Sequence, residues 1–267
     1  MSSLSNYLLK RFYSNSKHPY QVFESIIAAH LAKRDLIILD AGCGRSAPVL
    51  AKFVGSGSRL IGIDAVRFEA LPVGIEVINA NLARIPLADR SVDLIISRSV
   101  FEHLTQPQAV YAELSRVLRP GGLFLNHCIT SLEEAIPATF GVRNARLFWR
   151  QGEFIDRYVF PDGELATLSQ LTAAAEATGL ETRDVENLRE HYARTLRHWI
   201  ARLEQRSEEA RMIAGETVYR TWRLYMAASE AAFEAGNIAV VQCLYAKAAV
   251  ARASGIPQTR DHIYRQR

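Results

Sequence analysis

Asp40, Gly42, Gly44 and Asp64 are the residues of this 267-residue chain whose types and spacing first point to chemistry. The run Asp40-Ala41-Gly42-Cys43-Gly44 follows four apolar residues at 36–39, and glycines placed there let the backbone pass close to a ligand where side chains would clash. Alone, the loop suits any nucleotide. A pyrophosphate-binding fingerprint would carry a third glycine near Ser46, and that glycine is missing. The next apolar run ends in Leu60-Ile61-Gly62-Ile63-Asp64, and an acid at that place can accept hydrogen bonds from both hydroxyls of a ribose. Loop and acid together read as a nucleoside site. The competing reading of Asp64 is that it caps a turn.

These residues need a sheet to hold them. A short, wholly apolar run of the kind expected for a buried parallel strand occurs at 36–39, and similar, mainly apolar runs follow at 59–63, 75–78, 92–96 and 123–125. Pro19 and the spacing of Val22, Ile26, Ile27 and Leu31 predict a leading helix over 19–33, and a further helix is expected directly after the glycine loop. Val110, Leu114, Val117 and Leu118 form the stripe of a helix over 106–118, stopped by Arg119-Pro120-Gly121-Gly122. Such alternation implies an α/β fold, with a doubly wound, mostly parallel sheet and right-handed crossovers. Residues 130–164 are irregular and rich in aromatics and arginine. Beyond them helices are predicted at 165–178, 190–205 and 208–234, a strand at 180–185 and a last strand at 237–246, which makes seven strands. The expected organisation is a helical lid (1–35), a cofactor-binding core (36–130), a mainly helical acceptor-binding insertion that also carries the 180–185 strand (131–236), a last core strand (237–248) and a tail (249–267).

Composition narrows the partners. The formal charge is +4, but the 32 basic residues are interleaved with 28 acids, so no nucleic-acid partner is expected. Three widely spaced cysteines with no CxxC pair argue against a disulfide framework or a cysteine zinc site and suit a reducing cytoplasm. No metal is expected. No stretch reaches the ~18 apolar residues of a membrane span, so any work on lipid is expected from the membrane surface. An oligomer is compatible with the sequence.

Asp40 to Gly44 resembles the first motif of the class I S-adenosylmethionine-dependent methyltransferases, an acid and one residue before Gly-x-Gly. Three more stretches agree in order and spacing. Residues 79–87 (Asn-Ala-Asn-Leu-Ala-Arg-Ile-Pro-Leu) are similar to the family's adenine-contacting segment, 91–97 to its fourth strand, and 118–123 to the start of its fifth. The resemblance implies S-adenosylmethionine as cofactor, with Asp40, Gly42, Gly44, Asp64, Asn81, Leu82 and Ser97 as its binding residues. Asn81 departs from the family, which usually has aspartate there.

From about 154 to 248 the chain resembles the cyclopropane-fatty-acyl-phospholipid synthase family. The matching stretches are 154–165, 186–199 and 219–226. In that family a methyl cation adds to an alkene, and a bound bicarbonate removes a proton from the resulting carbocation. The pattern that holds bicarbonate carries over to Glu102 in Phe101-Glu102-His103-Leu104, to His127 and Ile129 in Asn126-His127-Cys128-Ile129, and to Tyr192. Glu102, His127 and Tyr192 are thereby implied as catalytic, and Ile129 and Tyr158 as pocket residues. Such a base needs an apolar pocket that keeps water from the cation and polar groups that orient it. Tyr192 also shares a helical stripe with Leu196, Trp199 and Leu203, so core packing competes for it.

The N-terminal region departs from the family. Only 35 residues precede Leu36 and none is the cysteine that helps complete the family's bicarbonate site, so a different lid is expected, with Tyr13 and Ser14 as candidate contacts. The expected reaction is C-methylation or cyclopropanation of an alkene or fatty-acyl-like acceptor, with a bicarbonate-type base. The alternatives are N- or O-methylation of a small metabolite and a non-catalytic cofactor-binding subunit.

Overall fold

The computed structural model describes residues 19–31, 35–69, 73–104, 106–132, 154–155, 157–159 and 165–249. Tyr13, Ser14 and most of the aromatic-rich 130–164 stretch lie outside the described residues.

Seven strands form one sheet: β1 (Ile37–Ala41), β2 (Arg59–Asp64), β3 (Ile75–Asn79), β4 (Val92–Arg98), β5 (Leu118–Ser131), β6 (Leu180–Asn187) and β7 (Ile238–Lys247). Their spatial order is β3-β2-β1-β4-β5-β7-β6. The pairs from β3 to β5 are parallel, while β7 runs antiparallel to both β5 and β6. The strand order reverses at β1/β4, which is where open α/β sheets bind their ligands, beyond the carboxyl ends of the strands.

Alternation along the strands gives each face its own apolar layer. On one face Leu39, Ile61, Ile95, Phe124 and Val241 pack under α2 (Pro107–Val117) and α3 (Leu168–Glu176). On the other, Ile38, Leu60, Leu94, Ile96 and Leu125 pack against Phe23 and Ile27 of α1 (Pro19–Leu31). The hairpin of α4 (Arg189–Gln205) and α5 (Ser207–Ala235) covers the rest of that second face, with Leu196, Met226 and Phe233 gathered on Val240. Among the described residues no helix is long and apolar enough to cross a membrane.

The fold matches the expected class, with three local differences. The helix expected after the glycine loop is only a 3-10 turn, Leu50–Phe53. Pro48 lacks an N–H, and Gly55-Ser56-Gly57-Ser58 leads straight into β2, so no further turn has room to form. β5 is much longer than its apolar 123–125 centre. It starts at Leu118 and absorbs Arg119 to Gly122 as an irregularity, with the pairing to β4 shifting between Val92 and Leu94. α3 starts later than its apolar pattern because Thr167 caps it: Thr167 Oγ1 accepts the Gln170 N–H at 3.2 Å, and Gln170 Oε1 accepts the Thr167 N–H at 2.8 Å.

Candidate active site

The glycine loop is tied to the end of β2. Gly42 and Cys43 both donate their N–H to the Ile63 carbonyl, at 2.8 and 3.1 Å. This crossing forces Gly42 to φ +84°, and a Cβ there would lie 2.2 Å from Val100 Cγ2. Asp64 braces the same loop, accepting the Gly44 N–H at 2.7 Å and the Val66 N–H at 3.1 Å. Asp64 is therefore a turn cap, as the competing reading held. A carboxylate offers about four acceptor positions, so capacity for ribose hydroxyls remains.

A cavity of about 820 Å³ opens beside the loop, and Asp40, Gly42, Gly44, Asp64, Asn81 and Leu82 all line it. Ser97 does not. It is fully buried behind the loop, where its hydroxyl donates to the Ala41 carbonyl at 2.9 Å, so its side chain braces β1. Asn81 Oδ1 accepts the Ala83 N–H at 2.8 Å, which leaves the amide NH2, a donor, as its group for a purine edge. Where an aspartate could only accept, this position offers the opposite polarity.

Asp40 is 2% exposed, and its Oδ2 has no hydrogen-bond partner. Burial pushes its carboxyl up to about 7, an effect opposed by Arg98 and reinforced by Asp64. An orphaned, buried carboxylate oxygen at the wall of an open cavity suits an ammonium donor, such as the amino-acid end of S-adenosylmethionine. The open glycine cradle suits the same molecule. Because the ionised form of Asp40 would hold an ammonium, cofactor affinity should weaken about tenfold per pH unit below about pH 7. Calorimetric titration between pH 5 and 8 checks this, and Asp40→Asn should bind more weakly with a flat profile.

The second group of expected site residues lies on the other half of the sheet. Glu102 sits in a 3-10 turn, Phe101–His103, just after β4. It is 5% exposed and its Oε2 has no partner, while the carboxylate accepts its own N–H and that of Ile129. Burial outweighs those two bonds and pushes its carboxyl up to about 7. His127 points from β5 toward α1 and α4. Its Nε2 lies 3.0 Å from Tyr192 Oη and its Nδ1 lies 3.1 Å from Gln242 Nε2. Tyr20 and Phe23 stand edge-on to the imidazole, with ring centroids at 5.4 and 5.9 Å. Burial pushes the Tyr192 phenol well above its ordinary value, and Tyr20, hydrogen-bonded to it, adds to the shift.

Glu102, His127, Ile129 and Tyr192 thus meet at one place, although the last lies 65 residues from His127. Tyr192 also packs with Phe233 at 5.7 Å, as the core-packing reading expected. Tyr158 does not join them. It is 56% exposed, and its ring contacts among the described residues are Phe154 and Arg157. Sequence reasoning missed Gln242, Tyr20 and Arg98. Arg98 stands over the Tyr20 ring at 4.4 Å and pairs with Glu24 at 3.6 Å, at the cavity wall. The signal for Gln242 was its isolation, as the one amide in the run 238–244. Among the described residues no cluster of His, Cys, Asp and Glu could hold a metal ion.

The model of the mycolic acid cyclopropane synthetase family matches residues 78–243, and a hypothetical methyltransferase family matches 8–139. A Pseudomonas putida protein described as "Probable fatty acid methyltransferase" is 35% identical over 242 residues, covering 85% of this chain. Cyclopropane mycolic acid synthase 1 of Mycobacterium tuberculosis is 30% identical over 217 residues, 78% of this chain and 76% of its own length. The structure of the cyclopropane synthase MmaA2 from Mycobacterium tuberculosis shares the fold with a TM-score of 0.73 at 25% identity, over 88% of each chain. The mycolic acid cyclopropane synthase CmaA1, complexed with SAH and CTAB, shares it with a TM-score of 0.71 at 24% identity, over 85% of this chain and 84% of its own. The chain spans 59% of the Pseudomonas relative and 49% of a second, "Probable fatty acid methyltransferase Rv3720" of Mycobacterium tuberculosis. A family model that covers most of the sheet and the whole acceptor cluster makes this protein a member of the mycolic acid cyclopropane synthetase family of S-adenosylmethionine-dependent methyltransferases.

Proposed function

We propose that the protein methylates an alkene carbon of a fatty-acyl-like acceptor, with a bicarbonate-type anion held by Glu102, His127, Tyr192 and Ile129 as the base. The orphaned Glu102 Oε2 carries this reading. A buried carboxyl oxygen without a partner, beside an imidazole and a phenol, suits a small planar anion that both accepts and donates hydrogen bonds. When bound, S-adenosylmethionine supplies an electrophilic methyl group. The chain's residues do the rest. Asp40 holds the cofactor's amino group, Asp64 its ribose, and Asn81 and Leu82 its adenine.

Glu102 is poised between its protonated and ionised forms near neutral pH, so it can either donate to the anion or accept from it. Leu188, Leu196, Met226, Phe233 and Val240 form a buried apolar cluster beside Ile129 and Tyr192, which keeps water from a cationic centre. The aromatic faces of Tyr20, Tyr192 and Tyr225 can stabilise positive charge. The fatty acid and mycolic acid enzymes among the relatives support a lipid-like acceptor. The acceptor is held by the 131–236 insertion.

Two measurements test the reading. Mass spectrometry of lipid extracts incubated with methyl-labelled cofactor should find label on acyl carbon; label confined to small amines or hydroxyls would replace the acceptor with a polar metabolite. Thorough removal of bicarbonate should lower turnover at least about 10-fold, reversibly. Turnover unchanged by that removal would assign the base to Glu102 alone.

A further inference from the structure

Among the described residues β7 is the only strand flanked on both sides by antiparallel neighbours, and His127 of β5 stands directly opposite its Gln242. Gln242 is 5% exposed in a strand whose other residues from Ile238 to Leu244 are apolar. Burying an amide costs free energy unless its hydrogen bonds are met, so its placement calls for a partner. That partner is the imidazole: Gln242 Nε2 lies 3.1 Å from His127 Nδ1. An amide nitrogen can only donate, so Nδ1 must accept. A neutral imidazole has one proton, which then sits on Nε2 and is donated to Tyr192 Oη at 3.0 Å. Tyr192 in turn is hydrogen-bonded to Tyr20. Tyr20 and Phe23 of α1, Tyr192 of α4 and Gln242 of β7 touch the ring and are uncharged, while the Glu102 carboxyl lies in the same cluster.

We propose that Gln242 is a positioning residue that fixes His127 as the neutral Nε2–H tautomer, so that His127 serves the site as a hydrogen-bond donor and not as its proton acceptor. The functional part of this assignment rests on the proposed reaction, in which His127, by donating to Tyr192, orients the phenol that meets the anion. With His127 so committed, proton acceptance falls to Glu102 or to the anion it holds.

Nitrogen NMR of the full-length protein labelled in its imidazoles tests the assignment, with the His127 signals identified by their loss in His127→Gln. Protonated Nε2 and unprotonated Nδ1 are expected at pH 7. An Nδ1–H tautomer or an imidazolium would overturn the proposal. Gln242→Glu keeps the shape but replaces the donor by an acceptor. It should move the proton to Nδ1 and lower kcat about 10- to 100-fold, with KM changed less than about twofold. If that variant fails to fold, Gln242→Met removes the donor at similar length and should give a mixture of tautomers. A wild-type tautomer retained in either variant would overturn the proposal. The spectra need neither acceptor nor cofactor, so a failure of the methyl-transfer reading would leave them unchanged.

Discussion

Glu102→Gln is expected to lower kcat by about 10²- to 10⁴-fold while leaving cofactor affinity within about twofold, as for the loss of a group that handles the proton. The same substitution should stabilise the ligand-free protein at alkaline pH. Burial raises the Glu102 carboxyl from 4.5 to about 7, so its contribution to stability is complete below about pH 4.5 and is lost as pH rises through about 7. Glutamine does not ionise. Thermal melts of the two proteins should therefore coincide near pH 4 and separate by about 2–3 kcal/mol above pH 8, with the variant more stable. Asp40 shifts in the same direction for the same reason, but its loss is common to both proteins and cancels in the comparison. A variant that is both sturdier and nearly inactive marks a carboxyl placed for function at the expense of stability. A merely structural Glu102 would show the reverse, with stability and turnover falling together.

Gly42→Ala carries the second large effect. At φ +84° an L-residue is strained by about 1–2 kcal/mol, and its Cβ, 2.2 Å from Val100 Cγ2, would force Val100 or the loop to move. Both displacements disturb the cavity wall, since Gly42 and Val100 line it. Cofactor affinity should fall at least about 100-fold, and stability by about 2–4 kcal/mol. Gly44 supplies the control. It is also left-handed, at φ +70°, but has nothing within 4 Å of the added atom, so Gly44→Ala should cost stability by about 1 kcal/mol. Adding Val100→Ala to Gly42→Ala should recover the steric part of the loss and leave the backbone part, which a double-mutant cycle separates.

Most of the sheet could be read in advance because its central strands are buried on both faces, and such strands appear as mainly apolar runs ending in acids or turn residues. Asp40 and Asp64 could be placed for that reason, each at the carboxyl end of one run. The missing helix after the loop was harder. Ala47, Val49, Leu50 and Phe53 carry a helix-like spacing, but Pro48 and the glycine-serine stretch decide the outcome. Ser97 shows a different limit: its place at the end of β4 was right, but whether the hydroxyl turns to the cavity or to the Ala41 carbonyl depends on the local geometry of the loop. The acceptor cluster was legible only through resemblance, because Glu102, His127 and Tyr192 come from three separate elements. Gln242 required the register. Nothing in the sequence of β7 says that it lies opposite His127 until β7 is known to run antiparallel beside β5.

The position of β7 between β5 and β6 also bears on how the protein is made. Synthesis proceeds from the N-terminus, so β1 to β5 emerge early, and the cofactor half can assemble while the rest is still being translated. β5 must then wait more than a hundred residues for its neighbour, with its 123–131 edge unpaired and ready to accept a strand from another molecule. A ribosome stalled in α5 would leave a chain already equipped with the glycine loop but lacking Gln242, its sheet open on one side. Such a chain would be prone to aggregation, and recombinant yield should respond more to changes in β7 than to changes of equal size in β3 at the sheet's outer edge.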